Sequence, residues 1–273
     1  MKIGIIIQAR LNSTRFPKKV LAPIYSDKTV IEEIIDRAKK VRQSSGIVVA
    51  TSDSESDGRF ADFLKNKTDV AVFRGSENNV LSRYVAISKS NNFDHIVRLT
   101  GDNACIDPNL IEDTIKQHIA GGFDYSYTVG YPLGTNIEVI ACSALYAAAK
   151  DGKTPPDQEH VTYFVRNNPQ RFKLNFILAD LPTEFKDLRL TFDTAQDYLQ
   201  IRILFDYLQK GNDFFTMSDI LKLWKSNPYV FQINSSIFQK TVYSTEAEEL
   251  KAAQELLEKQ EMNRAAEIIK SVL

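Results

Sequence analysis

Short apolar runs and longer amphipathic stretches take turns along this chain. Ile3-Gly4-Ile5-Ile6-Ile7 has the length and β-branched content of a strand buried on both faces, and Ile47-Val48-Val49-Ala50-Thr51 repeats the pattern. Between them Val30, Ile31, Ile34, Ile35 and Ala38 recur at helical spacing, which predicts an amphipathic helix over 29–42. The alternation continues with a helix near 55–66, a strand over 70–73, a helix near 79–90 and a strand over 95–99. Beyond Asp107-Pro108, Leu110, Ile111, Ile115 and Ile119 mark a helix ended by Gly121-Gly122. Strands alternating with helices in this way build βαβ units with right-handed crossovers. The expected fold is therefore α/β, a Rossmann-like three-layer α/β/α arrangement around a mostly parallel central sheet.

The pattern changes after Gly122. Tyr125 to Tyr131 is rich in aromatics and turn formers, 134–140 reads as a strand and 141–150 as a short helix. Pro155-Pro156 opens a segment containing Glu159-His160, 172–178 alternates as a strand does, and Leu188-Arg189-Leu190-Thr191 is a further short strand that runs into Phe192-Asp193-Thr194. A helix from Ala195 reaches Gly211. Near the end Thr245 and Glu248 have the spacing of a capping box before a long amphipathic helix. These observations divide the chain into a domain over 1–211, carrying a lid or acceptor-binding insertion at about 123–180, and a helical extension over 212–273 packed on the same domain.

Composition narrows the function. The 273 residues are 43% apolar, enough to bury a substantial core. Lys and Arg number 34 against 35 Asp and Glu, a net charge of -1, so the chain lacks the basic field of a nucleic-acid binder and any anion site must be local. The longest apolar runs are strand-length, which argues against a membrane span and for a cytoplasmic protein. Cys105 and Cys142 fit no metal spacing and are expected to be buried thiols.

The candidate chemistry begins where the first strand stops. Gln8 to Lys19 carries Arg10, Arg15, Lys18 and Lys19 interleaved with Asn12, Ser13 and Thr14. Planar guanidinium forks and mobile ammonium charges together suit a polyphosphate, and open α/β sheets bind ligands beyond the carboxyl ends of their strands. Arg98-Leu99-Thr100-Gly101-Asp102 places a carboxylate just past another buried strand, and Asp193 follows a later strand in the same manner. Either aspartate alone would serve as a helix cap. Facing a cationic phosphate loop, the two supply what Mg2+ takes, namely one or two carboxylates with phosphate oxygens and water. On the acceptor side Glu138, with Asn136 beside it, and His160 are candidates, whereas Gly75-Ser76-Glu77-Asn78-Asn79 reads first as a helix cap. Gly-x-Gly-x-x-Gly after the first strand, Gly-x4-Gly-Lys-Ser/Thr and Gly-x-Ser-x-Gly are all absent, which removes dinucleotide, P-loop and nucleophile-elbow readings.

Gln8-Ala9-Arg10-Leu11-Asn12-Ser13-Thr14-Arg15-Phe16-Pro17-Lys18-Lys19-Val20-Leu21 resembles the signature of the cytidylyltransferase family that includes the 3-deoxy-manno-octulosonate and acylneuraminate cytidylyltransferases. Ala50-Thr51-Ser52, Gly75 to Leu81, Arg98 to Asp102, Glu159-His160-Val161-Thr162 and Phe192-Asp193-Thr194 follow in the order of the branch similar to spore coat polysaccharide biosynthesis protein F. The resemblance implies a nucleotidyltransferase fold with CTP lying across the sheet's carboxyl edge. Arg10, Arg15 and Lys19 would hold the triphosphate. Ala9, Thr51, Ser52 and Ser76, with Gly101, would border the nucleoside, and Asp102 and Asp193 would hold magnesium. A sugar, sugar acid or phosphorylated or phosphonylated acceptor would attack the α-phosphorus and release pyrophosphate, in a homodimeric enzyme of surface-glycan or related biosynthesis. The chain departs from the family pattern at Lys18, often glycine, at Asn79, at Asn103-Ala104 and at Asn136. Two rival readings are a nucleotide-sugar-dependent glycosyltransferase and a nucleotide-binding protein without catalysis.

Overall fold

The computed structural model describes residues 1–13, 15–210, 214–237 and 245–273. Thr14 and Gly211, read above as a loop hydroxyl and a helix end, lie outside the described residues. In chain order the elements are β1 (Ile3–Gln8), β2 (Pro23–Tyr25), β3 (Lys28–Thr29), α1 (Val30–Lys39), β4 (Ser44–Ser52), α2 (Glu55–Lys67), β5 (Ala71–Gly75), α3 (Val80–Asn91), β6 (His95–Thr100), α4 (Pro108–Gly121), β7 (Tyr125–Val129) and β8 (Glu138–Ala141). They continue with α5 (Cys142–Asp151), α6 (Pro155–Glu159), α7 (Tyr163–Arg166), β9 (Leu174–Leu178), α8 (Thr183–Lys186), α9 (Ala195–Leu208), α10 (Met217–Ser226), α11 (Glu246–Lys259) and α12 (Asn263–Lys270).

Seven strands form one sheet in the order β5-β4-β1-β6-β8-β7-β9. β1 pairs in parallel with β4 and β6, β4 with β5 and β7 with β9, while β8 runs antiparallel to both β6 and β7. The mostly parallel sheet read from the sequence is therefore present. Successive strand side chains point to opposite faces, so β1 splits its isoleucines between two cores. Ile5 and Ile7 join Val49, Val97, Leu99 and the apolar faces of α1, α4 and α9 on one side. Ile6 joins Val48, Ala50, Ile96 and Ile140 with α3 and α5 on the other. Helices on both faces explain why the central strands read as unbroken apolar runs.

Three elements differ from the sequence expectation. Tyr125–Val129 is a strand, β7, rather than an irregular lid; its buried positions include Ser126 and Thr128, whose hydroxyls bond to His118 and to the Ile137 amide, so polarity masks the period of two. Leu188 to Thr191 forms no ladder, only a single bridge from Arg189 to Leu133. The terminal helix is two helices, α11 and α12, because Glu261 turns left-handed (φ 58) and the Met262 amide closes back on the Leu257 carbonyl.

The first compact unit runs from Met1 to Ser235, past the boundary expected at 211, and the second from Ser236 to Leu273. The extra length belongs to the core of the first unit. Buried Arg37 on α1 pairs with Glu33 at 2.8 Å and donates to the carbonyls of Phe215 (2.9 Å) and Ile106 (3.1 Å). Its guanidinium also lies 4.0 Å from the centre of the Phe215 ring, so the approach to α10 is fastened to α1.

Candidate active site

Register brings the candidate loops to one edge. Gln8, the last residue of β1, lies opposite Ala50 of β4 and Thr100 of β6, so Ala9 and Gly101 leave the sheet at one level, while β4 continues through Thr51 and Ser52 beside β5. The Gly101 amide donates to the Gln8 carbonyl at 2.7 Å, and a Cβ at this position would fall 2.6 Å from that of Ala9. Only glycine permits this approach, which packs the Asp102 turn against the start of the basic loop.

That loop is fastened at several of its described residues. Buried Leu11 donates its amide to Asp57 Oδ1 at 2.8 Å, and the other Asp57 oxygen accepts from the Ser52 amide and hydroxyl. The Lys18 amide closes on the Leu11 carbonyl at 3.0 Å, with Lys18 itself left-handed at φ 59. This is the position given above as a departure from the family pattern's glycine, the residue such a φ favours. One 3-10 turn, Lys19–Leu21, then buries Val20 and leaves Lys19 facing inward. Phe16 stacks on Phe192 with ring centroids 5.8 Å apart, and the Thr191 hydroxyl bonds to Asn103 Oδ1 at 3.0 Å. Asp193 is thereby drawn to both the basic loop and the Asp102 turn.

The result is a compact charge cluster. Lys19 Nζ donates to Asp102 Oδ2 at 2.7 Å and to Asp193 Oδ1 at 2.8 Å, while Arg15 lies 3.0 Å from Asp193 Oδ2. Burial acts to lower the Lys19 ammonium pKa, but the two carboxylates outweigh it and hold the group above the usual lysine value. Burial acts to raise the Asp102 carboxyl, yet the Lys19 charge and hydrogen bond, with help from Thr100, hold it below the ordinary range. Both groups are therefore ionised at neutral pH. Among the described residues no cluster of three or more His, Cys, Asp or Glu side chains forms a metal cage. Magnesium needs no such cage: two carboxylates converging on a basic loop are a donor set that fits it. When bound, the ion would neutralise triphosphate oxygens, with Asp102 and Asp193 holding it.

The cluster lies in a cleft of about 1540 Å³ whose lining includes Ala9, Arg10, Arg15, Lys18, Lys19, Gly101, Asp102 and Asp193. Lys18 is exposed but still lines this cleft rather than facing bulk solvent alone. The structure does not bring every candidate there. Thr51 is fully buried, the Ser52 hydroxyl is taken by Asp57, and Ser76 accepts from the Asn79 amide, so their side chains form the supports of the wall. Asn79 caps α3 through the Ser82 amide. Asn136 donates to the Tyr131 carbonyl, and His160 is exposed at the end of α6. Glu138 sits behind the wall, pairing with Arg98 at 3.0 Å and accepting from Tyr125 (3.1 Å) and Thr162 (3.4 Å). Arg59, Arg83 and Lys153 also line the cleft, and sequence reasoning passed over them. Arg83 alone carried a signal, a cation inside the apolar stripe Val80, Tyr84, Ile87 of α3.

A family model described as cytidylyltransferase matches residues 4–264. The chain belongs to the cytidylyltransferase family. A cytidylyltransferase from Leptospira borgpetersenii has a solved structure that superposes with a TM-score of 0.78 at 30% identity, covering 89% of this chain and 99% of that one. The spore coat polysaccharide biosynthesis protein SpsF of Bacillus subtilis is 38% identical over 200 residues, 69% of this chain and 80% of its own length. An uncharacterized protein of Methanocaldococcus jannaschii is 35% identical over 248 residues, 90% of this chain and all of its own. This cytidylyltransferase is a CTP-using nucleotidyltransferase, and the glycosyltransferase reading falls away. Among the described residues no helix is long and apolar enough to cross a membrane.

Proposed function

We propose that this cytidylyltransferase transfers CMP from CTP to a sugar or sugar-acid acceptor with magnesium and releases pyrophosphate, supplying an activated sugar for polysaccharide assembly. The observation that carries the reading is the Lys19 ammonium held between Asp102 and Asp193 at the mouth of the basic loop. In nucleotidyl transfer, negative charge grows on the α-phosphoryl oxygens and the departing pyrophosphate, and fixed cations stabilise it without reorganising. Lys19 and Arg15 would do this, while Arg10 would hold the outer phosphates. The polysaccharide setting is supported by the name of the Bacillus subtilis relative. The test is pyrophosphate release with CTP, magnesium and a panel of sugars, sugar acids and sugar phosphates. Turnover should appear with one acceptor class and vanish in Asp102→Ala and Asp193→Ala; no turnover above those variants with any acceptor refutes the proposal.

A homodimer is part of the same reading. Phe176 and Leu178 are 50% and 76% exposed on β9, the edge strand of the sheet, which favours a second copy there. Light scattering should give twice the chain mass, and a monomer mass at micromolar concentration would rule this out.

A further inference from the structure

Asp193 is one of the two carboxylates proposed to hold the metal, yet no strand ladder carries it to the site. Asp102 follows β6, which is paired on both sides, whereas 188–191 touches the sheet only through the bridge from Arg189 to Leu133. Lys19 and Arg15 draw the Asp193 side chain from the cleft side. Its backbone is held from the other side, by a buried polar network.

Asp197, at the start of α9, is 0% exposed and accepts on Oδ2 the Asp193 amide at 3.1 Å and the Thr194 amide at 3.0 Å. The same oxygen meets Arg189 Nη2 at 3.1 Å, while Oδ1 accepts from Arg189 Nε at 3.3 Å and from Asn234 Nδ2 at 2.7 Å. Asn234, 1% exposed in the turn after the 3-10 helix Pro228–Gln232, also donates to the Arg189 carbonyl at 3.1 Å. Gln200 Nε2 reaches that carbonyl as well, at 2.9 Å. A capping box needs only the Thr194 part of this arrangement. Glu32, Asp157 and Asp219 close such boxes on α1, α6 and α10, and among the described residues no arginine or asparagine side chain bonds to them. Both Asp197 oxygens are engaged and the residue is sealed from solvent, so it has nothing to offer an ion or a nucleotide directly. Its effect on the reaction passes through Asp193. An amide gripped by a carboxylate that is itself locked on its far side fixes where the neighbouring side chain points.

We infer that Asp197 and Asn234 are positioning residues of the reaction: Asp197 grips the Asp193 backbone, and Asn234 locks Asp197, so that the Asp193 carboxylate converges with Asp102. The inference rests on the proposed role of Asp193 in holding the metal. It makes a turn beyond residue 211 a support of the site.

Manganese binding to the CTP complex of the full chain, followed by electron paramagnetic resonance, tests it. Asn234→Ala leaves the Arg189–Asp197 pair and the α9 cap in place and is expected to weaken manganese binding about 10- to 100-fold, the range for losing a residue that orients a metal ligand. CTP binding in EDTA, measured by calorimetry, should be unchanged, which a general loss of structure would not allow. In Asp193→Ala, where nothing remains to be positioned, adding Asn234→Ala should weaken manganese no further. Unchanged manganese affinity in the single variant overturns the inference, as does an equal further loss in the Asp193→Ala background or a loss of metal-free CTP binding. Should Asn234→Ala unfold below the assay temperature, amide hydrogen exchange on the wild type decides instead: the Asp193 and Thr194 amides should be protected like those of β6, and exchange at loop rates overturns the inference. If Asp193→Ala by itself leaves manganese binding intact, the reading of Asp193 as a metal holder fails; if it weakens binding and Asn234→Ala does not, only the positioning role fails.

Discussion

Lys19 is held by two carboxylates rather than left free to solvent, and its removal therefore has two consequences. Asp102 and Asp193 lose their shared counter-charge, and in the proposed reaction the α-phosphoryl oxygens lose a fixed cation. Lys19→Ala is expected to lower kcat by about 10²- to 10³-fold, the scale for one oxyanion-stabilising donor, with a smaller change in KM for CTP. Steady-state kinetics at saturating magnesium checks this. The cations of the loop were legible from their density after an apolar strand, and Asp102 from its place past the end of β6, whereas the strand expected before Asp193 is only a single bridge. The pairing between the loop and the two aspartates was not legible, because it depends on Phe16 stacking on Phe192, 176 positions away in the chain. Lys18 shows the reverse case: the departure from glycine was visible, but its meaning needed the left-handed backbone.

Two polar clusters act at the scale of elements. At the opposite end of β6 from the site, His95 Nδ1 and His118 Nε2 lie 3.0 Å apart, and His118 Nδ1 lies 2.9 Å from the Ser126 hydroxyl, joining α4 to β6 and β7. Burial, aided by the His95 ring, pushes His118 down to about 4. An unfolded imidazole takes its proton near pH 6.5, so below that value the unfolded chain binds a proton that the folded one refuses. This contribution to stability is full above about pH 6.5 and declines as pH falls toward 4, costing about 2 kcal/mol between pH 7 and pH 5. Urea unfolding at the two pH values should show the loss in the wild type and a smaller one in His118→Asn. The second cluster ties β6 to β8 and β7 through Arg98, Glu138 and Tyr125. Removing one partner of a buried pair leaves the other uncompensated, so Glu138→Ala is expected to cost about 3–5 kcal/mol in denaturant unfolding. A role confined to binding acceptor would instead leave stability intact. Polar residues inside β7 and β8 serve these networks, and that is why the sequence pattern suggested an insertion where the sheet simply continues.

The sheet was legible at the scale of the whole molecule because buried parallel strands are apolar throughout. The extent of the first unit was not, since Arg37 looks like a surface cation on an amphipathic helix until Phe215 closes over it. A chain ending at Gln209 is expected to be insoluble or to lose cooperative thermal unfolding, whereas one ending at Ser235 should retain both solubility and a single transition. Calorimetry of the two truncations decides this.

The pairing at the centre also governs how substrate arrives. Lys19 and Arg15 are matched by Asp102 and Asp193, so the chemical centre projects little field of its own, and the whole chain carries a net charge of only -1. Arg10, Lys18, Arg59 and Lys153 stand exposed around the cleft and make no ion pair among the described residues. An incoming polyanion is expected to be steered by this outer ring before it meets the charge-matched centre. Added salt should therefore slow capture of the nucleotide while leaving the bond-breaking step almost unchanged.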